Sequence, residues 1–177
     1  MTAIKKKICL LGSFSVGKTS LIERYVHNRF EEKYLTTVGV KISQKLLPPL
    51  EIPHRGQLIQ HTFLIWDIAG VEKFNHVAMN YFRGAAGALA VADLTVPESI
   101  DRLQEFCEKF LSVSPEAVVL VLGNKLDIFQ NDKKTLSALE ETARRFSSAY
   151  LLTSAKTGHQ VEKAFEMLSK KLGNTDG

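Results

Sequence analysis

Two kinds of apolar pattern alternate along this chain. Short continuous runs at Ile8–Leu11, Ala86–Ala92 and Ala117–Leu122 read as strands buried on both faces. Elsewhere apolar residues recur every three or four positions, the spacing of one helical stripe. Leu21, Ile22, Tyr25 and Val26 form one such set, and Ile100, Leu103, Phe106, Cys107, Phe110 and Leu111 a second. Leu136, Leu139, Ala143 and Phe146 form a third, and Val161, Ala164, Phe165, Leu168 and Leu172 a fourth. Val38–Leu47 and Leu58–Trp66 read as strands joined by a turn, where Pro48, Pro49, Pro53 and Gly56 discourage pairing. Ala149–Leu152 is a short last strand. Pro97 suits the first turn of a helix, Pro115 follows its end, and Gly173 is a stop for the final helix, with 173–177 expected to fray. This alternation predicts an α/β fold: a mostly parallel six-stranded sheet with one antiparallel edge strand, flanked by about five helices. No repeat or linker divides the sequence, so residues 1–177 are expected to form a single domain.

Composition narrows the class. Hydrophobic residues at 45% and charged residues at 24% fit a globular chain and exclude a disordered one. Even the run Ala117–Leu122 is far too short to span a bilayer, and the N-terminal stretch lacks a small-residue cleavage site. Cys9 and Cys107 sit inside apolar patterns, as reduced core thiols of a cytoplasmic protein do. The five histidines lack metal-ligand spacing. The net charge of +4 is mild, and Lys5–Lys6–Lys7 reads as the solvated start of a strand, so no nucleic-acid partner is expected.

The chemistry begins at Gly12-Ser13-Phe14-Ser15-Val16-Gly17-Lys18-Thr19, followed by Ser20. The pattern GxxxxGK[ST] follows a predicted strand and opens a predicted helix, which makes it a phosphate-binding loop and the fold a P-loop NTPase. Its glycines let backbone N–H groups turn toward phosphate oxygens, and the helix N-terminus adds partial positive charge. Lys18 can reach the terminal phosphates, and the Thr19 hydroxyl can ligate Mg²⁺. The base is chosen by Asn124, Lys125 and Asp127, directly after a buried strand. A carboxylate at Asp127 can accept from the N1–H and 2-amino group of guanine together; adenine offers neither donor there. Ser154-Ala155-Lys156 follows the last strand and supports that reading. In Trp66-Asp67-Ile68-Ala69-Gly70, Asp67 ends a strand, where it can hold Mg²⁺ through water, and Gly70 offers an unobstructed backbone N–H.

From about residue 5 to residue 172 the chain resembles the Ras superfamily of small GTPases, and within it the Rab branch. Thr37-Val38-Gly39-Val40 resembles the Rab first switch. Trp66–Gly70 and Tyr81-Phe82-Arg83-Gly84-Ala85 resemble the second switch and the helix after it. The resemblance implies that Thr37 ligates Mg²⁺ and contacts the γ-phosphate, that Phe30 lies against guanine, that Tyr34 covers the phosphates, and that Ala155 donates a backbone N–H to the guanine oxygen. It also places Ile42, Trp66 and Tyr81 in a hydrophobic surface cluster for effectors, with ordinary sheet and helix packing as the other account of the same residues. GTP/GDP with Mg²⁺ is the implied ligand. Effector, exchange-factor and activating proteins that bind the switch regions are the implied partners.

Three departures change the picture. The glutamine that orients the attacking water in the family is replaced by Val71, which offers no hydrogen bond. Phe14 stands where the family keeps a small residue, so a phenyl ring crowds the γ-phosphate and the path of an arginine finger. Slow intrinsic hydrolysis is therefore expected, unless Glu72, Asn75, His76 or a partner protein supplies a polar substitute. No cysteine lies near the C-terminus, so no prenyl anchor is expected. The segment Leu46–Gln57 is longer than in the family; with exposed-looking Leu50 and Ile52 it is either a contact surface or an ornament. Two functional readings remain: a GTP/GDP switch whose catalytic positions are Lys18, Thr37, Gly70 and the atypical Val71, and a permanently GTP-loaded scaffold module. An ATP-using enzyme is disfavoured by Asn124, Lys125 and Asp127.

Overall fold

The computed structural model describes residues 2–33, 37–52, 56–69 and 76–175. Its elements are β1 (Thr2–Leu11), α1 (Lys18–His27), β2 (Val40–Leu46), β3 (Leu50–Ile52), β4 (Gln57–Ile68), α2 (His76–Phe82), β5 (Gly87–Asp93), α3 (Pro97–Val113), β6 (Val118–Asn124), α4 (Lys133–Arg145), β7 (Tyr150–Leu152) and α5 (Val161–Thr175). The sheet runs β2-β4-β1-β5-β6-β7, with β3 also paired to β4. From β4 across to β7 the pairs are parallel, while β2 and β3 are antiparallel to β4. The expected α/β sheet and its antiparallel edge strand are present.

The seventh strand, β3, lies inside the segment expected to be a turn. Pro48 and Pro49 lack N–H donors and interrupt the ladder. Leu47 N nevertheless donates to His61 O at 2.9 Å, and Gln60 Nε2 donates to Leu47 O at 2.9 Å. The backbone groups beside the break stay satisfied, and pairing resumes at Leu50 opposite Ile59. Pro53 lies outside the described residues.

Two further expectations are corrected at the same place. Gly173 does not stop α5, which continues to Thr175. It is buried, and a Cβ there would sit 2.9 Å from Ile52 Cδ1, so this glycine serves the close approach of helix and strand. Ile52, read as exposed, is buried, and Leu50 is half-buried. β3 is thus docked on α5. Residues 176–177 lie outside the described ones.

Alternation in the central strands divides the core. Ile8, Leu10, Phe63, Ile65, Leu89 and Val91 face α1 and α5, where Tyr25 stacks on Phe165 with centroids 3.7 Å apart. Cys9, Leu11, Ala88, Ala90 and Ala92 face α3 and α4, together with Phe82 and Phe110 in an edge-to-face pair. Cys9 and Cys107 are buried free thiols, each pushed up to about 12 by desolvation. β1 begins at Thr2, so Lys5–Lys7 lie within a paired strand and not at its start, with Lys5 exposed and Lys6 and Lys7 half-buried. Lys7 Nζ lies 3.9 Å from the Trp66 ring centroid and donates to Arg83 O at 2.9 Å. Among the described residues no helix is long and apolar enough to cross a membrane.

The C-terminal ends of β1, β5, β6 and β7 lie at one end of the sheet, where ligands of open α/β sheets bind.

Candidate nucleotide site

β1 delivers the chain into a loop that requires glycine at two positions. Gly12 has φ 138 and Gly17 has φ 101. A Cβ on Gly12 would lie 2.2 Å from Val91 O, and one on Gly17 would lie 2.3 Å from Asn124 Nδ2. Gly17 then caps α1, whose first residue is Lys18. The Lys18 ammonium donates to Gly12 O at 2.7 Å and to Ser13 O at 2.9 Å, which holds it over the loop.

Three oxygens converge beside it. Thr19 Oγ1 donates to Asp67 Oδ2 at 2.5 Å, Thr37 Oγ1 donates to the same oxygen at 3.1 Å, and the two hydroxyls are 2.7 Å apart. They come from the first turn of α1, the residue three before β2, and the end of β4. Three contacts share only two hydroxyl protons, so the cluster is one proton short. Such a set fits a small hard cation, which takes oxygen donors and keeps water and phosphate as its remaining ligands.

At the opposite end, β6 terminates in the buried Asn124. Its Nδ2 donates to Val16 O at 3.0 Å; its Oδ1 accepts from Thr153 Oγ1 at 3.2 Å and from Ala155 N at 3.3 Å. One amide thus ties the phosphate loop to both strand-end loops. Lys125 adopts the left-handed conformation, and its ammonium pairs with Asp93 Oδ2 at 2.5 Å. Asp127 Oδ1 accepts from Ser154 Oγ at 2.6 Å, which fixes the carboxylate at the cleft wall.

These groups surround a cleft of about 530 Å³. Of the residues expected at the site, Phe14, Ser15, Gly17, Lys18, Thr19, Ser20, Phe30, Thr37, Asp67, Asn124, Lys125, Asp127, Ala155 and Lys156 line it. Gly12, Ser13, Val16 and Ser154 stand behind the wall: the first two hold Lys18, Val16 accepts from Asn124, and Ser154 orients Asp127. Tyr34, Gly70, Val71, Glu72 and Asn75 lie outside the described residues, as does the side chain of His76. Phe14 is 59% exposed on the cleft wall.

Sequence reasoning missed Asp93 and Arg24. Asp93 was signalled only as an acidic residue closing the run Ala86–Ala92. Arg24 donates through Nε to Ala155 O at 2.8 Å and through Nη2 to Lys156 O at 2.6 Å, contacts that no local pattern announces. On the surface, Ile42 pairs across the strands with Trp66, and the Trp66 and Tyr81 rings are 6.1 Å apart. The three residues are therefore contiguous, with Ile42 half exposed and Trp66 and Tyr81 packed, partly buried, against the core.

A P-loop at the end of a parallel strand, an oxygen cluster for a cation, and a carboxylate at the far wall define a nucleotide-binding P-loop domain. The family model described as "Ras family" matches residues 7–174. "Ras-related protein Rab-31" of Rattus norvegicus is 33% identical over 99% of this chain and 88% of its own length. "Ras-related protein Rab7" of Drosophila melanogaster is 35% identical over 93% and 78%, and "Ras-related protein Rab-22A" of Homo sapiens 31% over 96% and 84%. The chain belongs to the Ras family, as a Rab-like small GTP-binding protein.

Proposed function

We propose that this protein is a Mg²⁺-dependent GTP/GDP switch with slow intrinsic hydrolysis. The observation that carries the reading is the shared contact of Thr19, Thr37 and Asp67. It ties the connection between α1 and β2 to the cation position, so that the ligand can order a surface segment. Asp127, held by Ser154, accepts from guanine and leaves adenine without a matching donor.

When bound at that oxygen cluster, Mg²⁺ draws charge from the phosphate oxygens. Lys18 and the N–H groups of the loop supply the remaining positive field for in-line attack of water on the γ-phosphate. Val71 leaves that water without an oriented partner, and Phe14 narrows the space beside the γ-phosphate. Effector, exchange-factor and activating proteins would dock on the switch segments, with Ile42, Trp66 and Tyr81 as contact residues.

The exposure of Phe14 on the cleft wall favours a second reading, a GTP-loaded module that seldom turns over. Competition binding tests the shared core of both readings. GTP and GDP should displace a fluorescent GDP analogue in Mg²⁺ while ATP does not; equal displacement by ATP contradicts them.

A further inference from the structure

The turn between β7 and α5 carries Ala155 and Lys156, which line the cleft. Its ends are closed by its own groups. Ser154 O accepts from Gly158 N at 2.8 Å, Ser154 Oγ accepts from Thr157 N at 3.1 Å, and His159 O accepts from Ser154 N at 3.1 Å. The carbonyls of Ala155 and Lys156, in its middle, take no donor from the turn. Among the described residues only Arg24 of α1 donates to them, through Nε to Ala155 O at 2.8 Å and through Nη2 to Lys156 O at 2.6 Å. Nε and Nη2 form one edge of the planar guanidinium, so a single fork fixes two successive carbonyls. The fork is itself aimed from its other side, where Nη1 donates to Asn28 Oδ1 at 3.2 Å.

We infer that Arg24 is a positioning residue that makes the site selective for an oxygen at position 6 of the purine, a role that rests on the guanine-nucleotide reading above. A trans peptide points its C=O and its N–H in opposite directions. Arg24 does not line the cleft, and it draws both carbonyls toward itself, which turns the amide edge of the turn to the cleft. Lys156 N–H belongs to the peptide whose carbonyl Nε holds, and it has no acceptor among the described residues. Ala155 N–H, one peptide earlier, reaches only Asn124 Oδ1, in a long contact of 3.3 Å. Donors fixed in this way suit a 6-oxo group, while Asp127, fixed by Ser154, accepts from the N1–H and 2-amino group beside it. Two separate devices therefore read neighbouring parts of one base edge. Arg24 lies about 9 Å along α1 from Lys18, so one rigid helix carries the contacts at the phosphate end and at the base end.

The test is displacement of prebound mant-GDP from the full chain in Mg²⁺ by GDP, by 6-thio-GDP and by IDP. 6-Thio-GDP keeps the N1–H and 2-amino group that face Asp127 and replaces the 6-oxygen with sulfur, a weak acceptor. IDP keeps the 6-oxygen and lacks the 2-amino group. The unaltered protein should prefer GDP to 6-thio-GDP about tenfold, the scale of one sheltered hydrogen bond. Arg24→Gln should reduce that preference to about twofold and leave the preference for GDP over IDP unchanged. A merely structural role would weaken all three nucleotides alike and move neither ratio. Arg24→Lys keeps the charge but cannot fork, so it should lose the 6-oxo preference as Arg24→Gln does. Asn28→Gly suits the left-handed backbone at that position and removes the contact to Nη1, so it should lower the preference about threefold even if the Arg24 variants fold poorly. GDP binding with an unchanged 6-oxo preference in Arg24→Gln or Asn28→Gly overturns the role of Arg24 and leaves the nucleotide reading intact, as does full preference in Arg24→Lys or none in the unaltered protein. Failure of the unaltered chain to bind mant-GDP overturns both.

Discussion

Thr19 and Thr37 place their hydroxyl oxygens 2.7 Å apart, and both also reach Oδ2 of Asp67. Residues separated by a helix, a loop and a strand therefore share one position.

The cluster predicts a sharp metal dependence. In the unaltered protein, chelating Mg²⁺ with EDTA should speed release of a fluorescent GDP analogue at least about tenfold, the scale of losing one charge-assisted contact. Asp67→Asn should release nucleotide quickly in Mg²⁺ and respond little to EDTA. Equal EDTA sensitivity in both proteins would mean that the cation is held elsewhere.

Ser154 makes a subtler prediction. Its hydroxyl fixes Asp127, so Ser154→Ala should weaken GDP binding about tenfold, consistent with one lost hydrogen bond to a charged group. The unfolding midpoint should change little. Titration calorimetry and thermal melting separate the two effects, and a loss of stability without a loss of affinity would assign Ser154 to packing.

The docking of β3 on α5 is a stability statement. Ile52→Ala removes a buried side chain against Gly173 and should cost about 2 kcal/mol in urea unfolding. Gly173→Ala should be close to neutral. Its Cβ meets side-chain tips alone, Ile52 Cδ1 at 2.9 Å and Ile59 Cδ1 at 3.2 Å, and alanine gains about 1 kcal/mol of helix propensity over glycine. A null effect at Ile52 would show that the strand is not anchored there.

Burial of Cys9 and Cys107 fixes the sign of the alkaline response. Both thiols are held protonated up to about 12 in the folded chain, against 9.0 ordinarily. Above pH 9 the unfolded chain therefore binds fewer protons, and stability should fall as pH rises. Denaturant melts at pH 8 and pH 10 measure this, and replacing both cysteines with alanine should reduce the slope.

Much of the nucleotide site was legible because it is built from contiguous motifs. Gly12–Thr19, Asn124–Asp127 and Ser154–Lys156 each sit at the end of an apolar run, and the sheet gathers those ends. What escaped depends on partners distant in sequence. β3 was hidden by Pro48 and Pro49, since the Gln60 side chain that satisfies Leu47 O is thirteen residues away. Gly173 carries the signature of a helix stop, yet it lies inside α5, where it lets the helix approach Ile52 closely. Arg24 occupies a polar site of a helix pattern, and only the fold shows that it holds the loop carrying Ala155 and Lys156.

The central claim is a switch slowed by its own residues, and single-turnover hydrolysis of bound GTP in excess Mg²⁺ tests it most directly. The unaltered protein should retain GTP for many hours, and Val71→Gln combined with Phe14→Ser should shorten that time by at least about tenfold, a change of roughly 1.4 kcal/mol in barrier. Conversion to GDP within minutes by the unaltered protein, or no acceleration in the double variant, would contradict the account.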